Sequence, residues 1–204
     1  GCASDEFVNM NNLISSPSYA HIYSDSVNGF EGSNGSFSPS LPSNLSGKPV
    51  DGTDVIEIRM AKNTNVQLRD DMNQTNNPLL VYDRLGIQAG EAVMISNCQF
   101  GDIFIAGGNT NATAITHTAS NNQSNHLTTA YTSGAHVMRY VYYAYYIKDT
   151  GRKNEANQPI YTLVRQDQQG NEEELVDGVQ QMQIEYGVDT NQDNTADTFQ
   201  SASQ

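Results

Sequence analysis

Aspartate and asparagine recur at every second position in Asp189-Thr-Asn191-Gln-Asp193-Asn-Thr-Ala-Asp197, the spacing in this chain best suited to chemistry. Alternating oxygen donors on a tight loop can converge on a hard cation, and calcium takes about six to eight of them. Asp189, Asn191, Asp193 and Asp197 would offer side chains, and Thr195 its carbonyl. The opening matches the D-x-[DN]-x-[DN] of an EF-hand loop. It then departs, with Asn194 where the turn glycine belongs and Gln200 where the bidentate glutamate belongs. The same residues equally suit a turn held by its own side-chain-to-backbone hydrogen bonds. Calcium site and self-bonded turn are both open on the sequence.

Other reactive residue types are less well arranged. His21, His117, His126 and His136 are scattered, with no H-E-x-x-H pair and no G-x-S-x-G elbow. Triads assemble from distant positions, but nothing here marks one, so the expectation is a non-enzyme. Cys2 and Cys98 lack metal-ligand spacing. They either form one long-range disulfide, as an exported protein would allow, or stay as two thiols. Chain-entropy models credit a loop of that length with roughly 4–5 kcal/mol. The acidic run Glu172-Glu-Glu174 with Asp177 reads as a solvated turn ending at Gly178 that could also dock a basic neighbour.

Composition narrows the classes. The chain has 204 residues, 37% of them apolar, and a net charge of −13 with only 10 Lys and Arg. Such a surface repels phosphate backbones, which argues against nucleic acid and against anionic membranes as partners. The 22 asparagines and 16 glycines suit turns, and only 16% of residues are charged. That is a loop-rich β composition rather than a helical one. No apolar run reaches membrane-spanning length.

The elements that must carry the loop read as follows. Residues 181–188 alternate, with Met182, Ile184, Tyr186 and Val188 on one side, which predicts a strand with one buried face leading into Asp189. Residues 136–148, HVMRYVYYAYYIK, are β-branched and aromatic on both faces and predict a central strand, with residues 160–165 returning as its hairpin partner. Residues 55–60 form another, with Ile56, Ile58 and Met60 on one face. Residues 91–96 and 103–106 read as strand, turn, strand around Cys98. Phe7, Met10, Leu13 and Ile14 fit a short amphipathic helix ended by Ser15-Ser-Pro17. Residues 24–52 read as a long loop with a hairpin, marked by Asn28-Gly29 and Asn34-Gly35, and residues 109–133 as weakly structured.

Several of these motifs, in this order, resemble a known family. Glu174-Leu-Val-Asp-Gly-Val179, the strand ending Tyr186-Gly-Val-Asp189 and the Asp/Asn loop look like the C-terminal part of PilW-family minor pilins of type IV pili. Gly90-Glu-Ala-Val93 leading to Cys98 and Ile103-Phe104 is similar too, as is the Tyr-Tyr-Ile strand with its Tyr161-x-Leu-x-Arg165 return. The likeness covers roughly residues 50–200, and a more distant one is to the J-type minor pseudopilin of type II secretion.

The resemblance implies an α+β fold, mainly antiparallel β: a single pilin-like, periplasmic domain over 1–204 that lacks its N-terminal hydrophobic helix. Residues 1–52 would be a short helix and loop-rich lead-in, and 53–200 the β-rich body. The start at Gly1-Cys2 resembles the point where that helix ends, which implies an inner-membrane anchor ahead of it, and a Cys2–Cys98 bridge would brace the domain. The implied role is structural: priming or capping pilus assembly through other minor pilins and the bacterial pilus fibre, with a tip adhesin as a further partner. A secreted calcium-dependent adhesive β-domain is the alternative from a different class.

Overall fold

In the computed structural model, residues 9–23, 25–97, 99–108 and 112–203 are described. Their strands, in chain order, are β1 (Asn9–Asn12), β2 (Val27–Ser33), β3 (Ser36–Ser38), β4 (Val55–Gln67), β5 (Leu79–Leu80), β6 (Ala92–Ser96) and β7 (Phe100–Ile105). Then follow β8 (Ala114–Ile115), β9 (His136–Lys153), β10 (Pro159–Asp167), β11 (Glu172–Asp177), β12 (Tyr186–Val188) and β13 (Thr198–Gln200). The sole helical element among the described residues is a 3-10 turn at Tyr19–His21. None of their helices is long and apolar enough to cross a membrane. The chain divides into two compact units, one of Gly1–Tyr23 with Met60–Val141 and one of Ser24–Arg59 with Tyr142–Gln204.

The expected α+β, pilin-like fold is therefore corrected to a β fold. The anticipated helix around Met10, Leu13 and Ile14 is instead β1, paired in parallel with β7 from Asn9↔Phe100 to Asn12↔Ile103. Phe7 lies outside the described residues. The physical reason is local competition. Asparagine side chains offer the backbone alternatives to a helix. Here Asn12 Oδ1 accepts the Ile14 N–H at 3.1 Å, its amide donates to the His21 carbonyl at 2.6 Å, and the Leu13 N–H donates to the Ile103 carbonyl at 2.8 Å.

In the first unit, β6 pairs antiparallel with β7 on one side and with residues 136–139 of β9 on the other. All five residues of β6 are buried, as a strand covered on both faces should be. One apolar cluster joins Val93, Ile95 and Phe104 to Leu68, Leu79, Val81, Ile115 and Tyr131. A second joins Met94 and Ile103 to Ile14 and Tyr140. The stretch read as weakly structured supplies core here, because Ala114, Ile115, Leu127 and Tyr131 are all buried. Asp102 is the polar anchor of this unit. Fully buried, it accepts from the Thr128 N–H at 2.9 Å, the Thr128 hydroxyl at 2.7 Å and the Tyr131 hydroxyl at 3.0 Å.

In the second unit, β9 continues and pairs antiparallel with β10, which pairs with β11. β2 pairs with β4 over Val27↔Ile58 to Phe30↔Val55, and with β3 across a turn in which Asn34 and Gly35 both take positive φ. That is the hairpin the Asn-Gly dipeptide signals. The strand expected over 55–60 is present as the start of β4, and its more buried face is not the one that carries Ile56, Ile58 and Met60. Val55, Glu57 and Arg59 are the buried positions, while Ile56 and Ile58 are half-buried and Met60 is exposed.

Charged residues can face inward there because they satisfy one another. Arg59 Nη1 lies 3.1 Å from Glu57 Oε2, and the Tyr142 hydroxyl donates to Glu57 Oε1 at 2.6 Å while accepting from the Asn44 amide at 3.0 Å. The guanidinium sits 5.1 Å from the centroid of the Tyr142 ring. Oriented to satisfy both its ends, the Asn28 amide presents its oxygen 2.7 Å from Arg59 Nη1. Burial, and then Glu57, push the Tyr142 phenol far above its ordinary range. Tyr142 stays a neutral donor.

Candidate functional site

The Asp/Asn loop sits at the tip of the β12–β13 hairpin, whose register runs from Tyr186↔Gln200 to Val188↔Thr198. The predicted strand over 181–188 is regular only in its last three residues. The alternation still holds, with Met182, Ile184, Tyr186 and Val188 half-buried and Gln181, Gln183 and Glu185 exposed. What holds the leading part is one buried aspartate rather than a β ladder. Asp54 accepts the Ile184 N–H at 2.7 Å and the Gly32 N–H at 3.1 Å, and its own N–H donates to the Met182 carbonyl at 2.9 Å. Gln183 adds a bond to the Gly52 carbonyl at 3.0 Å.

Tyr186 then packs its hydroxyl end on β2 at Gly29. A Cβ at that glycine would fall 2.1 Å from the Tyr186 hydroxyl oxygen and 2.4 Å from Cζ, so no larger residue fits without moving the ring. The hydroxyl itself is buried and has no hydrogen-bond partner among the described residues. Burial, with Asp54 and Glu31 nearby, raises its pKa.

Within the loop, the carboxylates are turned onto backbone. Asp189 Oδ1 accepts the N–H groups of Asn191, Gln192 and Asp193 at 3.1, 2.6 and 3.3 Å, and Oδ2 that of Asn194 at 2.7 Å. Asp197 Oδ2 accepts the Thr190 N–H at 2.8 Å and its hydroxyl at 2.7 Å, and Oδ1 the Asn191 amide at 3.3 Å. Asn191 Oδ1 accepts the Asp193 N–H at 3.0 Å, and Asp193 Oδ1 the Thr195 N–H at 2.8 Å. Gln192 and Asn194 take φ of +64° and +65°, so Asn194 does adopt the left-handed conformation of the glycine it replaces.

Burial works to raise the Asp189 pKa, but the N–H groups of Asn194, Gln192, Asn191 and Asp193 together hold it below the ordinary aspartate value. The Thr190 hydroxyl and N–H lower that of Asp197. The arrangement is a self-bonded turn. Among the described residues no three His, Cys, Asp or Glu side chains are gathered to hold a metal ion. Cys2 and Cys98, the expected disulfide partners, lie outside the described residues.

The acidic run is not a turn but β11, all six of its residues exposed, with β10 its one partner among the described residues. Each carboxylate meets a cation. Glu172 binds Lys148 and, at 3.3 Å, Lys48; Glu173 binds Arg165; and Arg152 bridges Glu174 at 2.6 Å and Asp177 at 2.7 Å. The Tyr146 hydroxyl adds a bond to Glu172 Oε1 at 2.7 Å. Burial opposes it, yet Lys148, Tyr146 and Lys48 bring the Glu172 pKa below normal. A bulge also interrupts the ladder, since Leu163 faces Val176 while Val164 faces Glu174. Charges and a bulge are the usual defences of an edge strand against unwanted pairing.

Of the tyrosines in β9, Tyr140, Tyr142 and Tyr146 are core, whereas Tyr143 and Tyr145 are half-exposed and meet edge-on at 6.4 Å. Arg165 stacks 4.6 Å over the Tyr143 ring. Two hydroxyl–imidazole contacts occur, Ser18 Oγ to His21 Nδ1 and Thr75 Oγ1 to His126 Nδ1, each 2.8 Å. No Asp or Glu among the described residues is hydrogen-bonded to either ring, so neither contact completes a triad.

Sequence reasoning passed over His117. It is buried between Phe104, whose ring it meets edge-on at 5.6 Å, and the Asn77 carbonyl, to which Nε2 donates at 2.9 Å. Its pKa is lowered by burial, which outweighs the neighbouring backbone contacts. The sequence signal was slight: a lone histidine in a Thr/Asn stretch directly after Ala114 and Ile115.

A family model described as "Type IV Pilus-assembly protein W" matches residues 144–204, from within β9 to the end of the chain. The chain is similar to that family over this stretch. No curated protein and no solved structure matches the chain.

Proposed function

We propose that the chain is a structural, non-catalytic minor pilin that primes or caps type IV pilus assembly through contacts with other minor pilins. The observation that carries this reading is the match of residues 144–204 to the pilus-assembly family. The edge at β11 supports it in kind, since a charged, bulged strand keeps a subunit from pairing indiscriminately while leaving side chains for docking. The reading includes an apolar inner-membrane anchor ahead of Gly1, a periplasmic location before entry into the pilus, and a Cys2–Cys98 disulfide.

The test is intact-mass and N-terminal peptide analysis of the native protein from membranes and from sheared pili. The expected result is a mature N-terminus that begins an apolar helix, with the protein recovered alongside pili. A native N-terminus close to Gly1, in a protein that never accompanies pili, would end the reading.

Calcium at the Asp189 loop is a separate proposal, supported by the oxygen-rich spacing. In the turn as folded, a cation would have to take Asp189 from the backbone N–H groups it accepts. Calorimetric titration with calcium chloride, repeated on Asp193→Ala, tests it. Saturable heat lost in the variant supports the site, and the absence of heat excludes it.

A further inference from the structure

A cavity of about 450 Å³ opens in the first unit beside His117, lined by Asn76, Pro78, Thr116, His117, Thr118, Ala119 and Asn125. Its volume falls within the usual span of small-ligand sites, about 300–1,000 Å³. The lining defines what chemistry it can hold. Among the described residues its lining has no lysine, arginine, aspartate or glutamate, so they offer no counter-charge to a phosphate, a carboxylate or an ammonium group. Desolvating such a group without a partner is costly. What it does offer is two side-chain amides, Asn76 and Asn125, each both donor and acceptor, and the hydroxyl of Thr118. All three residues are exposed and reachable by solute. Pro78 and Ala119 add apolar wall.

His117 forms a buried part of the wall. Its Nε2 donates to the Asn77 carbonyl at 2.9 Å, which leaves Nδ1 as the lone-pair nitrogen, and Nδ1 has no partner among the described residues. Burial keeps the ring neutral.

We infer that this cavity binds a neutral, hydroxyl-rich ring: a saccharide unit, held by the Asn76 and Asn125 amides and the Thr118 hydroxyl with a ring face against Pro78. Sugars present the mixed donor–acceptor hydroxyls that amides match in both senses, together with an apolar C–H face that a proline can cover. The inference is independent of the pilus reading, because it concerns the unit formed by Gly1–Tyr23 and Met60–Val141, whereas the family match lies wholly within the other unit.

The test is a two-dimensional ¹H–¹⁵N NMR titration of the full chain with glucose, galactose and N-acetylglucosamine, with glucuronate and glucosamine as charged counterparts. The expected result is saturable, millimolar shifts confined to the amides of Asn76, Asn77, Thr116–Ala119 and Asn125 with at least one neutral sugar, and weaker binding of its charged counterpart. Asn125→Ala and Asn76→Ala, both at exposed positions, should each weaken binding about fivefold, the loss of one net hydrogen bond. If Asn125→Ala perturbs the fold, Thr118→Ala serves in its place. No saturable shift at these residues, equal binding of the charged sugars, or undiminished binding by every folded variant overturns the inference.

Discussion

Removing the carboxylate of Glu57 tests the energetics of the buried face of β4. Glu57 and Arg59 have side-chain exposures of 0% and 1%, and they approach to 3.1 Å. Glu57→Gln keeps the shape and still accepts from Tyr142, but it removes the negative charge that faces the buried Arg59 guanidinium. Breaking one partner of such a pair costs about 3–5 kcal/mol, against a total stability of about 5–15 kcal/mol for most domains. For a chain of this length each kcal/mol moves the midpoint by roughly 2–4 °C, so a fall of about 6–20 °C is expected. In the Arg59→Met background the same change should cost much less, because the guanidinium that Glu57 neutralises is gone. The coupling between the two substitutions should reach about 2 kcal/mol. Urea and thermal unfolding followed by circular dichroism on the four members of the cycle measure it. Additive effects, or a cost below about 1 kcal/mol for Glu57→Gln alone, would refute the idea that mutual neutralisation keeps this face inward.

Three further outcomes follow from the geometry. Gly29→Ala drives a methyl into Tyr186 and should destabilise by about 1–3 kcal/mol, as overpacking does, and Tyr186→Ala should relieve it in a denaturant-midpoint comparison. Asp189 and Asp197 have lowered pKa values, so their stabilisation of the loop is present above the ordinary aspartate value of 3.8 and is lost as pH falls through the depressed ones. Amide protection factors at residues 190–194, measured against intrinsic exchange at each pH, should fall over that acid range, and Asp189→Ala should show low protection even at neutral pH. His117 has a folded pKa below 6.5, so the unfolded chain binds the proton more readily and stability falls as pH drops below 6.5. Melting curves between pH 7.5 and 5 should show that loss, and His117→Phe should flatten it.

Much of the β architecture was legible because its signals are local. The β9–β10 hairpin declares itself through β-branched and aromatic residues in 136–148 and the return at 160–165. The β2–β3 turn follows from Asn34-Gly35, where only small, left-handed-tolerant residues fit two positive φ values. The alternation in 181–188 correctly assigned which side chains face inward, although most of that stretch has no strand partner. Met10, Leu13 and Ile14 misled, since their spacing is helical while their asparagine neighbours and the β7 edge favour an extended strand.

The sequence by itself determined a chain poor in helix formers, rich in turns and acidic, with an Asp/Asn loop over 189–197 whose spacing suits a cation and a self-bonded turn alike. Those properties depend on residue type and near neighbours. Tertiary structure alone decided that Glu57 and Arg59, rather than Ile56 and Ile58, face the interior, because their neutralising partners Tyr142, Asn44 and Asn28 are distant in the chain. It decided likewise that Asp54 holds the 182–184 stretch in place and that His117 loses its water beside Phe104. In each case the energy lies in a contact between residues far apart in sequence, and no local pattern encodes which of the available partners will arrive.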